Sequence, residues 1–335
     1  MKQNYEEFKE LVEAEFLKFM PEKYQDMEIS IRKCNKVNTS RDGLSLMSKD
    51  SGMNISPTIY IDDMFKDYER TGDIREVLTK AAALFEEAME HAGELVPAVD
   101  YDNAKDNVVF QLINTEQNRE MLNNMPSREF KDLSIVYRWV IKADSPEGIH
   151  SAMIDNSLAA KLGMTEDELF KCAVQNTKRI FPPVVKNMND VIREMFVKDG
   201  MPLEVAEMMT QEIPDDKSMW VISNAQGING AVSMLYEDNL HELAMKLDSD
   251  LYIMPSSVHE VIAVSSNLGD PNELAAMVVE VNMQEVELAE RLSNQVYHYD
   301  KDLRKLDLAT DTPNKRLDGI VAEQSLMYSS QEKSR

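Results

Sequence analysis

Apolar residues recur every three or four positions in some stretches of the chain and alternate with polar residues in others. From Tyr5 to Met20 the spacing is helical, which predicts an amphipathic helix that Pro21 ends. Residues 27–32 alternate, which predicts a half-buried strand, and its expected partner is Leu44–Met47 after a turn at residues 39–43. The beginning of the chain therefore predicts a helix followed by a β-hairpin.

Apolar alternation and turn residues are most closely combined between Trp220 and Val264. The pattern predicts, in chain order, a strand at 220–223, a loop at 224–230, a return strand at 231–236, a helix at 238–247, and strands at 251–254 and 261–264 joined by Pro255–Glu260. Asn229-Gly230 between two strands is typical of a hairpin turn. We expect the rest of the chain to be organised around this stretch.

The middle of the chain repeats the same order of elements. A strand at 133–141, a turn at 143–148 and a return strand at 149–154 are followed by Asp155-Asn156, where a helix N-cap is expected. Asp238-Asn239 follows the later hairpin in the same way. The two stretches are therefore interpreted as two related hairpin-plus-helix modules.

Capping signals predict further helices. Thr165–Glu168 forms a capping box before Leu169–Phe181, and Asp270–Glu273 opens a helix that is expected to run to about Tyr297. Residues 186–213 also have a helical pattern, with an interruption at residues 200–202.

Together these elements predict an α+β protein, because strands and helices do not alternate as they do in a doubly wound sheet. The expected architecture is a set of antiparallel β-hairpins with packed helices. An N-terminal α+β region over residues 1–125 would precede a C-terminal α+β region with the two modules over 126–300. Residues 301–335, where the apolar periodicity fades, are expected to be a mostly disordered tail.

The charge balance limits the classes of partner. The chain has 335 residues, with 60 Asp and Glu against 36 Lys and Arg, and a formal net charge of -24. Such a charge repels phosphate backbones and anionic lipid, so we expect neither direct nucleic-acid binding nor a membrane partner. An acidic protein that mimics nucleic acid remains an alternative.

The same composition predicts a soluble cytoplasmic protein. The two cysteines, Cys34 and Cys172, form no CxxC pair and are too few for a disulfide framework. The N-terminus has no apolar signal core, and no run of about 18 apolar residues occurs in the chain.

One group of polar residues has the composition of a chemical site. Ser256, Ser257, His259 and Glu260 lie within five positions, with Asn229 as a further candidate, and they provide a hydroxyl, an imidazole and a carboxylate. If the chain is extended here, His259 and Glu260 point to opposite faces, so Glu260 does not orient His259. The structural alternative is that Pro-Ser-Ser makes a turn, and that His259 and Glu260 hydrogen-bond to neighbouring backbone at the start of a strand.

Other motifs predict no cofactor and no metal site. Residues 224–230 contain two glycines without the spacing of a dinucleotide or phosphate loop. The histidines are scattered singly, without the pairs that zinc helices use: His91, His150, His241 and His298. Methionine is abundant, at 23 residues, and Met234, Met254, Met277 and Met283 occupy core-like positions. We interpret them as core filler, with a methionine-rich partner groove as the alternative.

Several motifs in the same order resemble a known family. They are Pro57-Thr-Ile-Tyr60, Asp132-Leu-Ser-Ile-Val-Tyr-Arg138, Asn229-Gly-Ala231 and Tyr252-Ile-Met-Pro-Ser-Ser-Val-His-Glu260. The chain resembles, over roughly residues 5 to 300, uncharacterised proteins of anaerobic gut bacteria that are grouped as a domain of unknown function. The resemblance implies a bacterial intracellular protein, and it implies no activity, ligand or fold.

Three functions are consistent with the sequence. The first is a non-enzymatic binding protein with an unidentified protein or small-molecule partner, because no complete catalytic constellation is present. The second is a hydrolase or transferase that uses Ser257 or His259 within the Ser256/Ser257/His259/Glu260 cluster, and the third is the acidic mimic of nucleic acid. The sequence does not decide whether the protein is an enzyme, and it favours the binding protein.

Overall fold

The computed structural model describes residues 4–47, 57–95, 101–145, 148–210, 213–313 and 315–319. The chain divides between Tyr101 and Asp102 into two compact units. This division lies earlier than the boundary we expected near residue 125, and the strand pairing given below explains the difference.

The first unit is built on a three-stranded antiparallel sheet in the order β1-β2-β3. Its elements are α1 (Tyr5–Glu15), β1 (Glu28–Lys36), β2 (Thr39–Met47), β3 (Ile59–Tyr60), α2 (Ile61–Thr71) and α3 (Ile74–Leu95). The predicted helix and hairpin are both present, and the helix continues as a 3₁₀ turn at Phe16–Phe19. The hairpin turn lies at Val37-Asn38, where Asn38 has a left-handed φ of 62°, and not at residues 39–43.

Aromatic side chains fill the core of the first unit. Phe8 stacks on Tyr68 with ring centroids 5.2 Å apart, and Phe16 meets Phe85 edge to face. The carboxylate of buried Asp42 lies beside this core and accepts from the hydroxyl of Tyr5 at 3.0 Å. The core of this unit is therefore formed by side chains of its helices that pack against its sheet.

The second unit contains the remaining helices and strands of the described residues. In chain order they are β4 (Val108–Asn114), α4 (Arg119–Leu122), β5 (Ser127–Phe130), β6 (Leu133–Ser145), β7 (Gly148–Met153), α5 (Asn156–Leu162), α6 (Glu166–Ile180), β8 (Pro183–Asn187), α7 (Met188–Lys198), α8 (Leu203–Met209), β9 (Trp220–Asn224), α9 (Glu237–Leu247), β10 (Leu251–Met254), β11 (Val261–Ser265), α10 (Pro271–Gln284), β12 (Tyr297–Asp300) and β13 (Lys305–Leu308).

The long strand β6 organises a four-stranded antiparallel sheet. It pairs with β4, with β5 and with β7, so the predicted β6–β7 hairpin is confirmed. Every residue of β4 is buried, and its pairing with β6 places residues 108–114 in the second unit. The division of the chain therefore lies before β4.

A six-stranded sheet in the order β13-β12-β10-β11-β9-β8 completes the unit, and each pair in it is antiparallel. Antiparallel sheets with packed helices confirm the α+β class. The described helices include none that is both long and apolar enough to cross a membrane.

Residues 231–236 are not the return strand that we predicted. Gly230–Leu235 is a buried 3₁₀ helix that contacts β9 and β4. Both edges of β9 are already occupied, by β8 and by β11, so no edge remains for a returning strand. The prediction failed because the apolar alternation in the sequence of this buried helix looks the same as that of a strand.

The interpretation as two related modules is wrong in its second copy. Asp155 caps α5 by accepting from the backbone N–H of Leu158 at 2.7 Å, as predicted. Helix α9 begins at Glu237 without a side-chain cap, and the Asp238 carboxylate lies 3.3 Å from Arg304 instead. The second stretch thus has neither the hairpin nor the cap of the first.

The chain after Gln284 also differs from the prediction. Helix α10 ends there, and Tyr297 belongs to strand β12. Residues 301–313 are ordered, with β13 paired to β12, and Leu317 is buried, with its N–H bound to the side chain of Gln117 at 3.1 Å. Asn314 and residues 320–335, which we also expected to be disordered, lie outside the described residues.

A cluster of charged and phenolic groups joins α9 to the β12–β13 hairpin. Arg304 donates to both carboxylate oxygens of Glu237, at 2.6 and 2.7 Å, and the Tyr299 hydroxyl donates at 2.6 Å. The guanidinium, together with the hydroxyl, lowers the pKa of Glu237 from 4.5 to about 2. The ionised form of Glu237 therefore stabilises the native state.

We expect Glu237→Gln to lower the free energy of unfolding at pH 7 and to flatten its pH dependence in acid. Since the native pKa is depressed, the contribution of Glu237 is present above pH 4.5 and is lost as the pH falls towards 2. Urea denaturation of both proteins at pH 7, 4 and 2.5 measures the effect. If the difference in stability between wild type and Glu237→Gln stayed constant across this pH range, the predicted role of ionised Glu237 would be wrong.

Candidate functional site

The segment Pro255–Glu260 joins β10 to β11, and its backbone is held on two sides. The N–H of Val258 donates to the carbonyl of Glu290 at 2.8 Å, and the N–H of Leu292 donates to the carbonyl of Ser256 at 2.9 Å. On the other side, the N–H of Ala231 donates to the carbonyl of Val258 at 3.2 Å. The segment is therefore part of the packed body of the unit.

Ser257 is buried, and its hydroxyl accepts from the backbone N–H of His259 at 3.0 Å. Within the described residues it makes no hydrogen bond to the His259 ring. Ser256 is half-buried, and the structure gives its hydroxyl no partner among the same residues. Neither serine is thus placed beside a base that could remove its proton.

The His259 ring contacts groups other than Glu260. Its Nδ1 accepts from the backbone N–H of Asn229 at 3.3 Å, which leaves the proton of the neutral ring on Nε2. Nε2 lies 3.6 Å from Oε1 of Glu290. Both ring nitrogens are thus directed at protein groups, and the nearby carboxylate comes from a residue that is distant in sequence.

Glu260 faces a different environment. It lines a cavity of about 440 Å³ together with Lys186, Glu194 and Lys198. The structure therefore separates the residues of the predicted cluster: Ser257 binds the backbone of its own turn, His259 is directed at Asn229 and Glu290, and Glu260 lines this cavity.

Asn229 and Gly230 determine how closely the 3₁₀ helix approaches this turn. Asn229 is left-handed, with φ 51°. A Cβ on Gly230 would lie 2.2 Å from Oγ of Ser223 and 2.4 Å from the carbonyl oxygen of His259. The Ser223 hydroxyl donates to that same carbonyl at 2.7 Å, so three chain segments meet where only glycine fits.

Arg291 completes the support of the turn. It forms an isolated β-bridge with Ser257, and its guanidinium donates to the carbonyls of Val286 and Leu317 at 2.8 and 2.7 Å. Burial lowers the pKa of this guanidinium. The geometry of the predicted cluster is that of a hydrogen-bonded turn.

The other predicted polar groups are dispersed. His298 lies 3.1 Å from Asp250, Nδ1 of His241 is buried without a partner among the residues that the structure describes, and the side chain of His91 lies outside them. In the same part of the chain, no three His, Cys, Asp or Glu side chains form a set of metal ligands.

Helices α7 and α8 and the residues up to 219 that follow them present a surface that the sequence analysis missed. We call this the α7–α8 surface and define it by eight exposed large apolar side chains: Met195, Val197, Leu203, Val205, Met208, Met209, Ile213 and Met219. They are eight of the 18 such side chains among the described residues, within 25 consecutive positions. Met208 is the most exposed of them, at 77%. Apolar exposure is thus concentrated here.

The helix pair is attached to the sheet by few buried groups. In α8 only Ala206 is buried, α7 has no buried residue, and the N–H of Met188 binds the carbonyl of Met219 at 2.9 Å. Thr210 follows α8 and is buried, and its hydroxyl accepts from Nε of Arg193 at 3.2 Å. The eight apolar side chains that define the α7–α8 surface stay exposed to water.

An open cleft of about 760 Å³ lies beside this surface. It is lined by Arg193 and Ile213 and by Trp220, whose ring is covered by the ammonium of Lys246 at 4.1 Å. Lys246 also pairs with Asp215 at 3.0 Å, and Arg193 pairs with Asp190 at 2.9 Å. The cleft therefore continues the α7–α8 surface, and its charged groups Arg193 and Lys246 already have ion-pair partners.

Methionine content was the signal that could have revealed the surface. Six of the 23 methionines lie between residues 188 and 219. Helical periodicity does not show whether an apolar stripe faces a core or solvent. Met234 and Met254 are core residues as predicted, whereas Met277 and Met283 are exposed, so the interpretation as core filler is wrong for those two.

We expect Ser257→Ala to lower the free energy of unfolding by about 1–2 kcal/mol, because the His259 N–H loses its acceptor in a buried turn. Ser256→Ala is the matched control and should change stability by less than about 0.5 kcal/mol. Chemical denaturation of the two variants measures both values. Equal stability of the two variants would show that the Ser257 hydroxyl does not hold the turn.

Gly230→Ala should lower the free energy of unfolding more than a substitution by alanine at a glycine that has free space around it. The added methyl group collides with backbone and should cost about 1–3 kcal/mol. A Cβ on Gly269 would meet no described neighbour within 4 Å, and the backbone there is extended, so Gly269→Ala should be neutral or slightly stabilising. Similar unfolding midpoints for the two variants would refute the close approach at Gly230.

Comparison with known proteins gives a family and no activity. A family of unknown function, DUF5688, matches residues 5–301. No curated protein and no solved structure matches the chain. The match extends over most of the sequence and through both structural units, and the gut-bacterial origin that we expected stays a prediction. The chain belongs to the DUF5688 family of unknown function.

Proposed function

We propose that this protein is an intracellular, non-enzymatic binding protein that recognises another protein through the α7–α8 surface. The observation that carries the proposal is the exposure of eight large apolar side chains within residues 195–219. Concentrated apolar exposure marks protein interaction sites, since single exposed apolar residues are ordinary and clusters are not.

The energetics of burial support this proposal. A partner that covered Met208 and Met209 would remove apolar area from water. Each Å² removed stabilises the complex by about 25 cal/mol. Methionine side chains are unbranched and polarisable, so they adapt to differently shaped partners. The surface thus provides both a driving force and the means to fit a partner.

The geometry at Ser257 and His259 favours binding over catalysis. The hydroxyl of Ser257 accepts from backbone, and both nitrogens of the His259 ring are directed at Asn229 and Glu290. A nucleophile requires a base within hydrogen-bond reach, and in the described residues these two side chains do not provide that pair. Both cysteines carry free thiols, as is usual in a reducing compartment, which supports an intracellular location.

The test is affinity capture from a native lysate of the source cells. We expect wild type to retain proteins that Met208→Glu/Met209→Glu loses, because the charges prevent apolar contact. Leu303→Glu/Met277→Glu is the matched control, since both residues are exposed large apolar side chains elsewhere in the second unit. Lysine crosslinks from a captured protein should map to Lys198 and Lys217, which are exposed on and beside the two helices.

All the variants should unfold like wild type, because substitutions of exposed residues change stability by about 0.5 kcal/mol or less. If wild type and the α8 variant retained the same proteins, the α7–α8 surface would not be the binding site and the proposal would be wrong.

A further inference from the structure

Acidic residues are interspersed along the chain with the apolar residues of the α7–α8 surface. Residues 188–219 contain three basic side chains, Arg193, Lys198 and Lys217. Against these stand eight acidic ones: Asp190, Glu194, Asp199, Glu204, Glu207, Glu212, Asp215 and Asp216. The segment that exposes the most apolar side chains is therefore also strongly acidic.

Ion pairs neutralise only some of these acids. Asp190 pairs with Arg193, Glu194 pairs with Lys186 at 2.6 Å, and Asp215 pairs with Lys246. Four exposed carboxylates have no ion-pair partner among the described residues: Asp199, Glu204, Glu207 and Asp216. They are available to the cations of a partner.

On α8 the two kinds of group alternate within a few consecutive positions. Ala206 is the inward residue of this helix, so the residues one and two positions away on either side face solvent. Glu204 is three positions before Glu207 and four before Met208, which makes them neighbours on the helix surface. The carboxylates consequently border the exposed side chains of Val205, Met208 and Met209.

This charge pattern selects among the occupants that an apolar surface could have. A second copy of the chain would bring the same unpaired carboxylates against these, and each copy has a formal net charge of -24. Anionic lipid would be repelled for the same reason. A cationic protein segment with one apolar face satisfies both the apolar side chains and the carboxylates.

We infer that the partner presents a cationic amphipathic helix to the α7–α8 surface. This inference rests on the proposed function and adds the chemistry of the partner. A helix places apolar side chains every three or four residues on one face and Lys or Arg beside them. Such a helix meets methionine side chains on its apolar face, while its cations pair with Glu204, Glu207, Asp199 and Asp216.

The test uses three labelled synthetic peptides of about 18 residues and fluorescence anisotropy. One has leucine at helical spacing with lysine elsewhere, one has glutamate in place of lysine, and one has the leucine-lysine composition in scrambled order. We expect the amphipathic leucine-lysine peptide to bind wild type at least about tenfold more tightly than the other two. Binding should weaken as NaCl is raised from about 50 to 300 mM.

Matched variants separate the apolar and the charged contributions. Met208→Ser/Met209→Ser should weaken binding about tenfold or more. Glu204→Gln/Glu207→Gln should weaken it several-fold at low salt and reduce its salt dependence. Leu303→Ser and Glu10→Gln/Glu13→Gln alter equally exposed groups elsewhere and should leave the affinity within about twofold.

The contrary outcomes distinguish this inference from the proposed function. Tighter binding of the leucine-glutamate peptide, abolished by Met208→Ser/Met209→Ser, would overturn the cationic partner and leave the binding surface in place. Equal binding of the scrambled peptide would overturn the helix. If Met208→Ser/Met209→Ser changed the affinity of none of the peptides, the inference would be overturned. A dimer that sedimentation detects in wild type and not in that variant would identify a second copy as the occupant, and would overturn it too.

Discussion

The second unit depends on the contact between Gly230 and the backbone of the β10–β11 turn. Here the first residue of the buried 3₁₀ helix lies against the backbone of the turn, and at residue 230 no side chain fits. The contact lets the Ala231 N–H reach the carbonyl of Val258 and the Asn229 N–H reach the His259 ring. Because the helix also contacts β4, the same approach brings the four-stranded sheet against the six-stranded one.

Local signals predicted those elements whose partners are close in sequence. The β6–β7 hairpin, the cap of α5 at Asp155 and the capping box of α6 at Thr165 are all present. Residues 231–236 were predicted incorrectly because their conformation depends on β8 and β11 occupying both edges of β9. A single-sequence pattern contains no information about which strand edges are already paired.

The candidate cluster shows the same limit at the level of side chains. The sequence placed Ser257, His259 and Glu260 together, and its turn alternative agrees with the backbone N–H that the His259 ring accepts. It did not predict the bond from the His259 N–H to the Ser257 hydroxyl. It could not indicate Glu290, which is 31 positions from His259. It named Asn229 as a further candidate, but not that the backbone N–H of Asn229 binds the ring. The α7–α8 surface was missed for a related reason, since an apolar stripe looks alike whether it is covered or open.

The bond between Leu317 and Gln117 has a consequence for how the protein is made. These residues are 200 positions apart, and a ribosome that adds about 5–20 residues per second needs roughly 10–40 s to travel between them. The first unit is contiguous and complete in the nascent chain well before that. The residues of strand β4 are all buried in the finished fold. The strand leaves the ribosome early, before the last segments that contact it have been synthesised. The second unit is therefore the part of the nascent chain that most needs protection from aggregation during synthesis.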